Sequence, residues 1–421
     1  MTMHRDNGLI ATGLEETSSA QKLPVWRLLA FTMAGFITIM TETMPAGLLP
    51  LIGQGLGVSQ AMAGQLITLY ALGSVLAAIP VVAATRKWRR RPLFLMAIGG
   101  LLVFNTVTAL SSHYALTLVA RFIAGMAAGV IWGLLAGYAR RMVPHDLQGR
   151  ALAVVGIGQP VALCLGVPLG TWLGALFDWR GVFWIMSALA LLLFVWVRFG
   201  VPDYAGQTER QRQPIRSILQ TPGLRSILFV IFVWILAHNI LYTYIAPFLV
   251  SVGLGQRIDL VLLLFGVASI VGIAVTGMWV DRGLRALTLL SLAVFAMAAL
   301  VLGVASTSPD LVLLSIAIWG LTFGGAPTLL QTAIADTAGD GADVAQSMLV
   351  TIFNLAVAAG GIVGGLLLEK EGPGSFPPTL LVLALIGLVV VWQARDNGFK
   401  PGHRANSLGS LTPKTGKSES L

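Results

Sequence analysis

The 421-residue chain is 56% hydrophobic and 11% charged, with a mean hydropathy of +0.83. Soluble globular domains carry about 25% charged residues, so this composition excludes that class and indicates a chain that crosses a bilayer many times. The net charge of +9 does not point to nucleic acid, because the basic residues fall in short links between apolar runs instead of along one amphipathic face.

Residues 1–22 are polar and lack the compact apolar core of a signal peptide. They are expected to be a disordered cytoplasmic tail, with the chain inserted through its first span without cleavage. Apolar runs of bilayer-spanning length, bounded by charge, Gly or Pro, then predict six spans near 25–48, 62–84, 92–110, 115–138, 151–176 and 181–199. Six more follow near 225–250, 259–280, 286–305, 310–332, 344–368 and 377–394. The longest polar link, 201–223, reads as a cytoplasmic linker between bundles at 23–200 and 224–395, and 396–421 as a second disordered cytoplasmic tail. With both termini inside, fifteen basic residues lie in inward links and only Arg180, Arg257 and Lys370 in outward ones, a bias that sets the orientation.

The fifth predicted span carries small residues at every fourth position: Gly158, Ala162, Gly166, Gly170 and Gly174. Such spacing lays a smooth stripe along one helix face where another backbone can approach. Pro168 between Gly166 and Gly170 weakens the helix there. An offset of 195 residues superposes Gly125 on Gly320, Gly129 on Gly324, Gly166 on Gly361 and Gly170 on Gly365, as expected of a duplicated six-span unit with a substrate cavity between the copies.

These motifs resemble those of the major facilitator superfamily over about Val25 to Arg395. Gly166-Val167-Pro168-Leu169-Gly170 resembles its antiporter signature, and Thr41-Glu42-Thr43-Met44-Pro45 the opening motif of its twelve-span drug-proton antiporter branch. Leu118 to Gly125 is similar to the fourth-span arginine motif, and Gly277-Met278-Trp279-Val280-Asp281-Arg282 to the cytoplasmic gate motif in its second copy. The first copy, Pro80 to Pro92, keeps the basic cluster but has Arg86 where the offset places Asp281, a carboxylate-free version similar to that of sugar and nucleoside efflux proteins. The resemblance implies an all-α polytopic membrane protein of twelve helices in two six-helix bundles, in a bacterial inner membrane.

Ionisable groups inside spans are functional candidates by default. Glu42 and Arg121 fall at similar depth, and burial and a neighbouring cation pull a carboxyl's proton affinity in opposite directions. Glu42 is therefore the expected proton carrier and Arg121 the charge that tunes or relays it, the alternative being a structural pair or a solvated carboxylate. His238, Asn239 and Tyr242 on the seventh span suit hydrogen bonding and stacking with a polar organic solute, against the plainer reading of packing residues. Gln159 and Asn354 join them as candidate cavity residues, with Asn105 and Trp132 behind. Asp336, Asp340 and Asp343 read as solvated charges in the link after the tenth span. Gly166, Pro168, Gly170, Gly361, Gly365, Asp281 and Arg282 are expected to serve gating and packing, with the glycines letting the halves slide, against the plainer reading of the stripe as ordinary packing between membrane helices. Cys164 excludes intrachain disulfides and suits packing.

No His-Glu-x-x-His, phosphate loop or nucleophile elbow occurs, so an enzyme, a metal and a cofactor are not expected. The expected function is proton-coupled export of a small organic solute of drug, sugar or nucleoside class by a monomer in the lipid bilayer. The alternative is a symporter or uniporter of the same fold importing a nutrient.

Overall fold

The computed structural model describes residues 23–78, 81, 84, 85, 87–144, 147–206 and 215–402. The expected tails at 1–22 and beyond 402, and the linker's 207–214, lie outside them, as do Pro80, Val82 and Arg86 of the first gate motif. The described residues are helical with no strand. Ten of these helices are long and apolar enough to cross a membrane. Two of the ten contain a break, at Asp178 (φ 67°) and at Gly283, and each therefore makes two crossings, which gives twelve.

Span 1 is Val25–Thr43 continued by Pro45–Leu56, span 2 Gln60–Ala78, span 3 Arg90–Leu110 and span 4 Tyr114–Arg140. Span 5 starts at Gln148–Gly156 and runs to the Asp178 break, and span 6 occupies 179–200. Span 7 is Leu224–Thr243 continued by Ile245–Ser251; spans 8 and 9 are 258–282 and 284–304. Spans 10, 11 and 12 are Pro309–Ala338, Ala342–Lys370 and Phe376–Gln393. Two expected boundaries shift. Span 1 continues to Leu56, well past 48, because Pro45 opens a second helical segment instead of ending the span. Span 10 continues to Ala338, so Asp336 belongs to its last turn, is half-buried and has an interaction partner, and is not a free loop charge.

The offset of 195 is visible in the packing. A β-carbon on Gly125 would collide with the carbonyl oxygen of Tyr70, and one on Gly320 would meet that of Phe265, the residue 195 positions on. Gly129 and Gly324 stand in the same relation to Ser74 and Ser269. Spans 4 and 2, and spans 10 and 8, thus cross by the same backbone-to-backbone contact, the close approach that glycine permits. Spans 2 and 11, spans 5 and 8, and the segments Pro45–Leu56 and Ile245–Ser251 join one half to the other.

Arginines and the buried Tyr138 tie the links. Arg180 donates to the carbonyls of Gly55 (3.3 Å) and Ser111 (3.2 Å), joining three links at the arginine-poor face of the first half. On the arginine-rich face, Asp203 supplies the carboxylate that the first gate motif lacks. It pairs with Arg89 and accepts from the Arg91 backbone N–H at 3.0 Å. Arg90 N donates to Tyr204 O, Tyr138 Oη to Pro202 O and Arg141 to Ala205 O, so 202–205 is strapped across the ends of spans 3 and 4. Although burial opposes its ionisation, the bonds from Arg89 and Arg91 hold the Asp203 carboxyl below the ordinary aspartate range.

Two outcomes follow. Gly125→Ala is expected to destabilise the protein by ~2 kcal/mol through overpacking, whereas Gly137→Ala, at a position with open space around it, leaves the thermal midpoint in detergent unchanged. Asp203→Asn is expected to lower that midpoint by roughly 2 °C at pH 7, a discounted value for a partly solvated pair. Because the folded-state value is depressed, the wild-type advantage is present above the unfolded aspartate value. It fades as pH falls through the folded one, which a pH series of melting curves reads directly.

Candidate functional site

Span 1 breaks where its chemistry begins. Pro45 has no N–H, so the carbonyl of Thr41, four residues earlier, loses its helical partner. Arg121 of span 4 fills that vacancy: its Nη2 donates to Thr41 O, and its Nε to Leu66 O of span 2 at 3.4 Å. The guanidinium is fully buried, lies over the Tyr70 ring with 4.6 Å to the centroid and over Phe183 at 5.5 Å, and keeps Nη1 without a partner among the described residues. Tyr70 Oη donates to Thr38 O (3.0 Å), and Asn105 Nδ2 to the Thr41 hydroxyl (3.2 Å). The first half therefore holds its charge in a cradle of carbonyls and rings.

Glu42 is next to Thr41 and is 7% exposed. No ion pair within 4.0 Å joins it to Arg121, although the guanidinium acts on it through space. Through the bond to Thr41, Arg121 and Glu42 are neighbours but not a salt bridge. A buried carboxyl that is not clamped by a cation can change its protonation state without breaking a bidentate contact.

The corresponding break in span 7 falls at Tyr244, and an offset of 200 takes Met44 to Tyr244 and Glu42 to Tyr242. His238 and Tyr242, one turn apart, enter an aromatic cluster with Phe265, Trp319 and Phe323. Asn239 takes no part in it; its Nδ2 is held by Ile235 O within the helix (2.9 Å), and Asn354 Nδ2 is held likewise by Val350 O. Gln159 and Trp132 are half-buried and Asn105 is fully buried. The rings of Phe265, Trp319 and Phe323 escaped the reading of the sequence. Only their offset of 195 from Tyr70, Ala124 and Ala128 could have singled them out.

The fifth-span stripe faces its own half. Gly158 lies against Thr32 and Phe36, Gly166 against Met40, Gly170 against Met44 and Gly174 against Leu48, all in span 1. In this structure Gly166 and Gly170 form a seat for the helix that carries Glu42. Pro168 removes the N–H that would bond to Cys164 O, the chain passes through a π-helical turn at Ala162–Gly166, and Val167 N bonds back five residues to Ala162 O. On its other side the turn meets span 8, where Gly266 lies against the Cys164 backbone.

In span 11, Gly361 and Gly365 do face the other half. Gly361 lies against Thr68, and Gly365 against Gln65 and the Tyr244 hydroxyl. That hydroxyl reaches Gly361 O (2.7 Å) and Ala61 O (3.2 Å) and accepts from Gln65 Nε2 (3.2 Å). Ser59 Oγ donates to Glu369 (3.1 Å). These contacts close the arginine-poor face across the halves. Asp281 and Arg282 are exposed at the arginine-rich end of span 8, Asp281 with an interaction partner and Arg282 over the Trp279 ring at 5.0 Å. Among the described residues no group of three His, Cys, Asp or Glu could hold a metal.

The family model for the Major Facilitator Superfamily matches residues 31–342 and 255–412. Similar proteins include the purine ribonucleoside efflux pump NepI of Shigella sonnei (strain Ss046), 30% identical over 355 residues, or 83% of this chain and 89% of the relative. The NepI proteins of Escherichia coli O157:H7, with 30% over 354 residues, and Salmonella enteritidis PT4, with 30% over 368 residues, 87% of this chain and 90% of the relative, are similar to the same degree. With twelve crossings, a duplicated packing plan and this match, the chain belongs to the major facilitator superfamily and is a multi-pass membrane transporter, not an enzyme.

Proposed function

We propose that the protein exports a purine ribonucleoside, or a solute of that class, in exchange for protons, as a monomer with its arginine-rich face in the cytoplasm of a bacterial inner membrane. The observation that carries the coupling is the position of Glu42: buried, unclamped, beside a fixed guanidinium and two residues before the break that releases Pro45–Leu56. That segment packs on Ile245–Ser251 of the other half. A proton arriving on Glu42 removes a charge beside the hinge of the helix that helps to close the arginine-poor face, and its departure restores the charge. Arg121 stays cationic and sets the electrostatic background against which the carboxyl titrates. The Gly166-Val167-Pro168-Leu169-Gly170 turn, seated under Met40 and Met44, favours exchange over symport by its likeness to the antiporter signature. The substrate class rests on the names of the relatives.

Inverted membrane vesicles test this. With an acidified lumen, wild-type vesicles are expected to accumulate radiolabelled inosine, whereas a symporter or uniporter does not concentrate it under that gradient. Glu42→Gln is expected to abolish the proton-driven accumulation, by at least about tenfold, while insertion and gradient-free inosine exchange persist. Unchanged pH-driven accumulation in that variant removes the carrier role. Arg121→Ala is expected to flatten the pH dependence; an unaltered pH profile reduces Arg121 to a packing residue.

A further inference from the structure

The ring cluster of the second half has features that its packing does not require. His238, Tyr242, Phe265, Trp319 and Phe323 are all buried, between 1% and 6% exposed. Three of their polar atoms, His238 Nδ1, Tyr242 Oη and Trp319 Nε1, have no hydrogen-bond partner among the described residues. A buried orphan costs about 1–3 kcal/mol. Three in one cluster of five side chains are hard to account for as packing alone.

The internal repeat shows that the fold does not demand these rings. The contact between spans 10 and 8 is made by Gly320 and Gly324, as that between spans 4 and 2 is made by Gly125 and Gly129. Where the second half has Trp319 and Phe323, the offset of 195 gives Ala124 and Ala128 in the first, both fully buried. One copy of the unit thus packs with methyl groups and the other with an indole and a phenyl ring. The copies differ in charge the opposite way, for Arg121 corresponds to Ile316.

The cluster, closed by its own stacking, also has a defined shape and polarity. The His238 imidazole lies flat on Phe323, with 4° between the planes and 3.4 Å between centroids, and Phe265 and Trp319 close the sides with 4.4 Å between their rings. These surfaces accept a planar ring by its face. An indole N–H and a phenol O–H offer donors at the edge, and the imidazole offers an acceptor or a donor according to its tautomer. None of the five side chains is a carboxylate, a lysine or an arginine, so the chemistry suits a neutral aromatic heterocycle carrying ring nitrogens or a carbonyl. His238 and Phe323, each 6% exposed, are the least buried of the five.

We infer that spans 7, 8 and 10 form the nucleobase subsite of the transporter: the base stacks on Phe323 in place of the imidazole and takes hydrogen bonds from Trp319 Nε1 and Tyr242 Oη, while the first half handles the proton. This assignment rests on the nucleoside-export reading above. It also separates the two tasks between the two copies of the repeat, so that ring recognition does not compete with Glu42 for hydrogen bonds.

The test is equilibrium binding of tritiated inosine to the full-length protein in lipid nanodiscs, with hypoxanthine and ribose as competitors. Tyr242→Phe keeps its ring and removes only the hydroxyl, Trp319→Phe keeps one ring while removing the indole N–H together with the second ring, and size-exclusion profiles identify any variant that fails to fold. A weakening of inosine binding by about tenfold in either folded variant, with displacement by hypoxanthine and not by ribose, supports the subsite. Wild-type affinity in both variants, or displacement by ribose alone, overturns it while leaving nucleoside export standing. A wild-type protein that binds no inosine overturns the export reading and the subsite together.

Discussion

A carbonyl without a partner in the middle of a membrane is the constraint from which the rest of the site follows. Within the bilayer every backbone group has to find its hydrogen bond inside the protein. Pro45 takes away the one that Thr41 O should have had, and the replacement comes from the fourth span, as a guanidinium. Once Arg121 has been drawn to that depth, its own desolvation has to be met, and Leu66 O, the Tyr70 ring and the Phe183 ring surround it. A break in one helix therefore explains why a cation can be buried in another. It also explains why the carboxyl beside the break, Glu42, is held in a field it does not directly touch.

Duplication provides the frame, and divergence between the copies provides the difference in chemistry. Glycines at 125, 129, 320 and 324 set the same crossings in both halves, so the backbone plan is independent of what stands around it. That independence let the first copy gather an arginine, a glutamate and an asparagine while the second gathered an imidazole, an indole and a phenol. The breaks at Met44 and Tyr244 are likewise equivalent, yet one is flanked by an acid and the other by tyrosines.

What was legible in the sequence were the properties that repeat along the chain. Apolar length gave the spans, arginine placement gave a bias between the faces, and the offset of 195 gave the crossings that Gly125 and Gly324 make. The burial of Glu42 with Arg121 also followed from residue depth. Properties set by direction in space were not legible. The fifth-span glycines announce a smooth face but not which neighbour uses it, and that neighbour is span 1. The carboxylate missing from the first gate motif was sought at position 86, while the one that binds the basic cluster, Asp203, arrives from more than a hundred residues away. The aromatic cluster drew on three spans, none of which carries a recognisable pattern by itself.

The closed face sets the energy that transport has to overcome. Across the halves it is held by Tyr244 Oη with Ala61 O, by Gln65 Nε2 with Tyr244 Oη and Gly361 O, and by Ser59 with Glu369, a handful of side-chain contacts laid over glycine. Such bonds contribute about 0.5–1.5 kcal/mol each, so the polar part of the seal is a few kcal/mol. One proton crossing a gradient of one pH unit releases about 1.4 kcal/mol, and a membrane potential of 100 mV adds about 2.3 kcal/mol for each charge moved. The two quantities are of the same order. A seal built of close-packed rings and a caged guanidinium, like those inside the two halves, would exceed what one proton can supply. One built of glycine-backed carbonyl contacts can be opened and remade on every cycle.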